Sequence, residues 1–447
     1  MTYGENDILE RLRETGVKLV RLAFCDLFGT PKSVSVTSDQ LPRILRGGIS
    51  FDAAAIPGFY DRTGRSDLFL RPDPDTFAIL PWLQPYDCVA RLFCDVVMPD
   101  GSPFDRDARS LLRRTLQRAE TLGFSFSVGP ECEFYLFKNG AYGSPTFEPQ
   151  DNGGYFDVFP LDRCECVRRE VSSALEQLGI EPEASHHEQG PGQNEIDFRH
   201  KGALAAADDL ITFKSAVKAI AFNNGLHASF LPKPLPEKSG SGLHINLSVR
   251  QGDRDLFSGF GADGIDPLAG SFVAGILARA AEITAFLDPL PSSYQRLGRL
   301  EAPGYIGWSS QNRSQLIRIP SGSAGESGVD PRDRIELRSP DPSANPYLAF
   351  TLIIEAGLDG LERGLPLPEP VDCDLFGAPD ALLRRMRRLP DTLSRALFAA
   401  QNSGFVRRVL GSKLLDCYIT EKQRELHELE IARDREKLIY DRYFCVV

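Results

Sequence analysis

The chain has 447 residues, of which 42% are hydrophobic and 25% charged, with a formal charge of −11. That length supports two or three domains around a large core, and the acidic balance excludes a basic nucleic-acid-binding surface. Nine cysteines form no CxxC pair, which fits reduced thiols in a cytosolic protein rather than a disulfide framework.

The N-terminus, MTYGENDILERLRE, is too charged for a secretory signal. Residues 18–25 alternate, placing Val20, Leu22 and Phe24 on one strand face. Residues 26–31 form a turn, and 32–36 return as a second strand. The run 52–67 has no period and is expected to be a long loop. Residues 76–80 and 89–97 are further strands; in the latter Ala90, Leu92, Cys94 and Val96 share an apolar face. Pro99-Asp100-Gly101-Ser102-Pro103 marks a boundary, dividing the chain into 1–103 and 104–447. Beyond it Ala108, Leu111, Leu112, Leu116 and Ala119 recur at helical spacing, with Gly123 as a stop.

The next segment, 124–137, reads FSFSVGPECEFYLF. Strand alternation sends Glu131, Glu133 and Tyr135 to one face and Cys132, Phe134 and Leu136 into a core. Two carboxylates so close repel unless a proton or cation intervenes. The pair fits either a solvated strand face or a site for a hard cation such as Mg²⁺. Downstream, HHEQGPGQNE folds back through Gly190-Pro191-Gly192, bringing Glu188 near Glu195. The paired histidines lack HExxH spacing, so core or supporting roles suit them better than zinc. In KSGSGLHINLS, glycines permit close backbone approach, and the following strand aligns His244, Asn246 and Ser248. The stretch 272–287 is apolar but carries Arg279 and Glu282, so a buried helix is expected and not a membrane span. NRSQLIRIP adds Arg313 and Arg318, and RIELR aligns Arg334, Glu336 and Arg338 on one strand face. That face suits either a solvated charged strand or a place where metal and anion meet. Residues 377–443 are mostly helical and highly charged. Glutamates, a histidine and arginines on strand faces and tight turns together match phosphoryl transfer.

At these motifs the sequence resembles glutamine synthetase of the bacterial class I type. The carriers are KLVRLAFCDLFGTPKSV, GPECEFYLF, ASHHEQGPGQNEIDF, LPKPLPEKSGSGLHINLS, NRSQLIRIP and RIELRSPDPSANPYLAF, which are collinear over nearly the whole chain. The resemblance implies an α+β fold: an N-terminal β-grasp domain (1–103) and a catalytic domain (104–447) with a curved antiparallel sheet, surrounding helices and a helical C-terminal region. It implies hexameric rings, stacked as a dodecamer in the cytoplasm, with no nucleic-acid or membrane partner. The implied reaction phosphorylates the γ-carboxylate of glutamate with ATP as co-substrate. Ammonia then displaces phosphate, giving glutamine and ADP.

By matching position, Glu133, Glu188 and Glu195 look like ligands of one metal, and Glu131, His244 and Glu336 like those of another. Mg²⁺ or Mn²⁺, two or three per active site, is implied. Arg313 and Arg318 match phosphate contacts; Asn246, Ser248 and Arg334 match ATP contacts. Gly240, Arg296 and Arg338 match the amino-acid site. Asp52 matches an aspartate given by a neighbour to the ammonium site, and Glu301 a mobile-loop glutamate that takes a proton from the amine.

The sequence departs from the family at Ala53-Ala54-Ala55, usually Gly-Ser-Ser, and at Gly298-Arg299-Leu300, where the usual Pro-Gly-Tyr is absent. Ser239 replaces an asparagine, and 321–332 is longer than usual. Most of these changes fall on the amine and amino-acid side. They open a second reading, a γ-glutamyl ligase using a primary amine or polyamine. A third reading, a catalytically silent structural or regulatory relative, expects lost metal ligands, and none is lost.

Overall fold

The computed structural model describes residues 4–59, 66–83, 88–258, 264–320 and 334–447. The long stretch at 321–332 therefore lies outside the described residues.

The N-terminal part contains β1 (Leu19–Cys25), β2 (Pro31–Thr37), β3 (Ile49–Asp52), β4 (Asp67–Pro72), β5 (Ala78–Ile79) and β6 (Val89–Val97), with helices α1 (Glu5–Thr15) and α2 (Leu41–Gly47). The sheet runs β2-β1-β6-β4-β3, with β5 on β6. Its β1–β6 pair is parallel and the rest are antiparallel. Val20, Leu22, Ala90, Leu92 and Val96 are fully buried there, as the alternation of polar and apolar residues predicts. The expected strand at 76–80 is shorter. Residues Pro74–Thr76 form a 3-10 turn capped by Asp73, leaving two strand residues. The expected loop at 52–67 starts as a 3-10 turn, Ala53–Ala55.

After α3 (Ala108–Thr121), the second sheet is built on the sixteen-residue β7 (Phe124–Asn139). Its other members are β8 (Pro145–Pro149), β9 (Pro182–His187), β10 (Gln193–Phe198), β11 (Lys201–Gly202), β12 (Leu226–Ser229), β13 (Leu243–Gln251), β14 (Arg254–Asp255), β15 (Trp308–Ser309), β16 (Ile317–Arg318) and β17 (Ile335–Leu337). The central order is β15-β16-β17-β13-β7-β10-β9. The Gly190-Pro191-Gly192 turn joins β9 to β10, with Gly192 at φ 67°. Register then fixes the chemistry. Glu195 lies opposite Glu133, His244 opposite Glu131, and Asn246 opposite Glu336.

The opposite face of β7 enters the main core, where Cys132, Phe134 and Leu136 are fully buried. Helices α4 (Glu165–Gln177), α5 (Ala203–Asn223), α6 (Pro267–Leu287), α7 (Ser293–Arg296) and α8 (Pro346–Arg363) follow in the chain. Helix α6 is long and apolar enough to cross a membrane, yet its apolar residues are buried against α8. The two backbones approach closely at Gly275 and Gly360, where an added Cβ would lie 2.2 Å from Ala356 O and 2.1 Å from Ser271 O. The C-terminal part is helical: α9 (Asp380–Leu383), α10 (Leu393–Gln401), α11 (Gly404–Leu410), α12 (Ser412–Ile431) and α13 (Arg435–Ile439).

One buried arginine ties the N-terminal sheet to helix α5 of the second part. Arg109 of α3 donates to Asp208 of α5 at 3.0 and 2.8 Å, to Asp95 of β6 at 2.7 Å and to Asp73 at 2.8 Å. Burial works against the Asp73 carboxylate, but Arg109 and Arg113 outweigh it and hold its pKa below the usual range. Removing the guanidinium would strand buried carboxylates. Arg109→Ala is expected to lower unfolding free energy by about 3–5 kcal/mol at neutral pH in urea titrations. The Asp73 share is present above its unfolded pKa of about 3.9 and is lost as pH falls through the lower folded value. The gap between variant and wild type should therefore narrow in acid. A neutral-pH loss below about 1 kcal/mol would place the network among weak surface pairs.

Candidate metal and anion site

Four neighbouring strands, with one residue just beyond a fifth, project acids and one imidazole to the same place. Ligand atoms of Glu131 (β7), His244 (β13) and Glu336 (β17) lie within 4.8 Å of one another. Those of Glu133 (β7), Glu195 (β10) and His244 form a second such group. Glu188, just past β9, joins Glu195 through His186. His186 Nε2 lies 2.8 Å from Glu188 Oε1 and 3.6 Å from Glu195 Oε1. The expected trio of Glu133, Glu188 and Glu195 is thus linked through Glu195. His244 faces both groups.

The surroundings fix these side chains. Asn246 Nδ2 donates to Glu131 Oε1 at 2.9 Å, while its Oδ1 accepts from Arg334 Nε at 2.7 Å. Glu133 Oε2 accepts from Gln193 Nε2 at 2.7 Å and from the Gly242 N–H at 3.0 Å. Glu336 accepts from Arg318 Nη1 at 3.0 Å and from Arg338. Burial opposes the Glu336 charge, but Arg338, His244 and Arg318 hold its pKa down at about 2. Burial pushes Glu133 up to about 7, with His244 opposing and Glu188 adding. Glu195 is raised well above the ordinary value by burial, then by Asp197 and Glu133. Such crowding of buried negative charge is what a divalent cation relieves. A donor set of carboxylates with one imidazole fits Mg²⁺ or Mn²⁺. His187 serves differently. It is fully buried, with Nε2 2.9 Å from Asp151 Oδ1 and Nδ1 2.7 Å from Glu188 O, so it braces the turn.

Two cavities meet at Glu131. One, of about 900 Å³, is also lined by His200, Asn246, Ser248 and Arg334. The other, of about 470 Å³, is lined by Glu133, Gly240, Arg296, Glu301, Arg313 and Arg338 among others. Arg296 donates to Ser339 O at 2.6 Å and Arg338 O at 3.2 Å. Gly240 is required by close packing, since a Cβ there would lie 2.4 Å from Pro232 O. Leu300 and Glu301 both hold positive φ, 45° and 72°, an uncommon conformation for residues other than glycine. Asp52 is the expected residue that this chain does not bring to its own cluster. It is exposed at the end of β3, where Oδ1 accepts from the Ala54 N–H at 2.9 Å.

Several residues here escaped the sequence reading. Gln193 shares a strand face with Glu195, so period-2 alternation signalled it. His200 packs where a Cβ on Gly129 would lie 2.2 Å from its Cδ2. Tyr155 lines the smaller cavity and stacks on Phe156 with centroids 4.1 Å apart, in a segment without period.

Alanine in place of Glu336 should weaken Mn²⁺ binding at least about tenfold by calorimetry, whereas Cys132→Ala should leave it unchanged and lower stability by about 1 kcal/mol. Equal Mn²⁺ affinity in wild type and Glu336→Ala would remove Glu336 from the ligand set.

Comparison with known families and structures agrees with this geometry. Residues 16–99 match the glutamine synthetase beta-Grasp domain, and 105–440 match the glutamine synthetase catalytic domain. The chain is 42% identical to a glutamine synthetase of Clostridium saccharobutylicum, over 95% of both chains. It is 43% identical to one of Methanosarcina mazei, over 95% of this chain and 94% of that one. It is 44% identical to one of Staphylococcus aureus, over 95% of both. Among solved structures, GmaS in complex with ADP superposes with a TM-score of 0.86 at 30% identity, covering 98% of each chain. Apo GmaS gives 0.84 at 30% identity, covering 98% of this chain and 100% of that one.

Proposed function

The chain belongs to the glutamine synthetase family, and from that premise we propose that it is a glutamate–ammonia ligase driven by ATP. The observation that carries this reading is the acid–histidine cluster at the junction of two cavities, with arginines on both sides. A nucleotide enters the larger cavity and an amino acid the smaller, so their reacting ends meet at Glu131. In this reading 1–103 is the β-grasp domain and 104–447 the catalytic domain with its helical C-terminal region.

The roles are those the family resemblance implies, and the clustering of these side chains supports them. Glu131, His244 and Glu336 would hold one divalent cation; Glu133, Glu188 and Glu195 would hold a second, with Mg²⁺ or Mn²⁺ supplying charge neutralisation at the phosphates. Asn246, Ser248 and Arg334 bind the nucleotide. Arg313 and Arg318 stabilise charge on the phosphoryl group in flight. Arg296, Arg338 and Gly240 hold the amino acid. An oxygen of the substrate γ-carboxylate attacks the γ-phosphorus, and the bond to ADP breaks. Nitrogen of the amine then attacks the acyl carbon, phosphate leaves, and Glu301 accepts the proton. Water must be excluded meanwhile, because it would hydrolyse the acyl phosphate. Asp52 of a neighbouring copy, in a ring and a stacked dodecamer, would complete the amine site. A cytoplasmic location goes with this reading.

One observation favours a second reading, a γ-glutamyl ligase for a larger amine. Leu300 and Tyr155 line the smaller cavity beside Glu301, and Ala53–Ala55 follows Asp52 where polar residues are usual. Phosphate release should be measured with glutamate, ATP, Mg²⁺ and each of ammonia, methylamine, ethanolamine and putrescine. Saturable turnover with ammonia as the best acceptor is expected. A larger amine giving higher kcat/KM would replace ammonia as the substrate, and no turnover with any acceptor would favour a silent relative. Within that assay Glu133→Ala should lose at least about a hundredfold in kcat; near-wild-type turnover would remove its assigned role.

A further inference from the structure

A third cavity, of about 430 Å³, shares no lining residue with the two described above. It sits between the β1–β2 turn, helix α5 and the C-terminal segment. Along α5, Ile211, Lys214, Ser215 and Lys218 recur at helical spacing and form one wall. Phe28, Leu290 and Leu348 form an apolar wall.

Charge is unevenly satisfied here. The acidic side chains around the cavity are engaged: Glu425 with Lys422 at 3.1 Å, Glu428 with Arg442, and Glu421 with Arg424. Asp26 accepts the N–H groups of Phe28 at 3.0 Å and Thr30 at 2.9 Å, and has Lys32 at 3.7 Å. Among the described residues the two lysines of α5 have no such partner. Lys214 Nζ donates to Pro342 O at 2.6 Å, and Lys218 Nζ to Val446 O at 2.6 Å. Both also lie over the Phe230 ring, at 5.5 and 5.8 Å from its centroid. Val447 O is taken by the Phe230 N–H at 3.2 Å. Among the described residues neither ammonium forms an ion pair. Like charges four residues apart on one helix face repel, and an ammonium keeps donors in reserve after one bond to a carbonyl. Burial, with Lys214 beside it, pushes Lys218 down to about 7.

We propose that this cavity binds a small organic anion, its charged head between Lys214 and Lys218 and its apolar body against Phe28, Leu290 and Leu348. The chemistry asked for is a carboxylate or phosphate attached to a compact hydrocarbon. A volume of this size is in the range of small-ligand sites. Because its walls come from the N-terminal sheet, α5 and the C-terminal segment, an occupant clamps the β1–β2 turn onto the catalytic part and so acts as a regulatory ligand.

The test uses the full-length protein and four probes: phenyl phosphate, benzoate, inorganic phosphate and benzyl alcohol. Phenyl phosphate or benzoate should raise the melting temperature and bind at least about tenfold tighter than inorganic phosphate or benzyl alcohol by calorimetry. The better of the two acids tells carboxylate from phosphate. Lys218→Gln should weaken that binding about tenfold or more, and Lys218→Arg should retain it. Both variants should keep wild-type turnover without probe. Amide exchange at 26–32 should slow when the probe binds. Equal binding by wild type and Lys218→Gln would overturn the proposal. So would displacement of the probe by ADP, or no binding at millimolar concentrations.

Discussion

Burying Glu133, Glu195 and Glu336 within one small volume is the constraint on which the rest of this structure turns. Each is less than a tenth exposed, and carboxylates so placed repel strongly in a medium of low polarity. The fold answers with fixed partners. Arg318 and Arg338 hold Glu336 ionised, while Gln193 and the Gly242 N–H grip Glu133. What these partners leave uncompensated is the excess charge around Glu133 and Glu195, which is the charge a divalent cation would relieve.

Rigid support for such a site has to come from the strand that carries it. β7 is long and paired on both sides for most of its length, and its inner face is anchored by Cys132, Phe134 and Leu136. The same strand therefore packs Cys132, Phe134 and Leu136 on one face and carries Glu131 and Glu133 on the other, where Tyr135 and Phe137 pack into a second cluster. Arg109 and three aspartates form one buried link between the N-terminal sheet, which bears Asp52, and the catalytic part. In a ring of copies, that geometry would decide where a neighbour's Asp52 arrives.

Much was legible without coordinates where period and turn chemistry are strong. Alternation at 18–25, 89–97 and 124–137 predicted both strand and buried face, and Gly-Pro-Gly predicted the reversal between Glu188 and Glu195. The strand at 76–80 was overestimated because Asp73 caps a 3-10 turn that competes with strand hydrogen bonds. Tyr155, Phe156 and His200 carried no signal. They sit in segments without period, and they matter only through what lies opposite them in space.

The sequence by itself determined the residue types, their strand faces and, through motif resemblance, the family and its chemistry. That was possible because side-chain alternation and turn formation are local properties of the chain. Only the tertiary structure decided that His244 faces both acid groups, that Glu188 connects through His186, that two cavities meet at Glu131, and that Lys214 and Lys218 share a cavity without acid partners among the described residues. Those facts depend on register between strands and helices far apart in the chain, and register is set by how the whole core packs, not by any one segment.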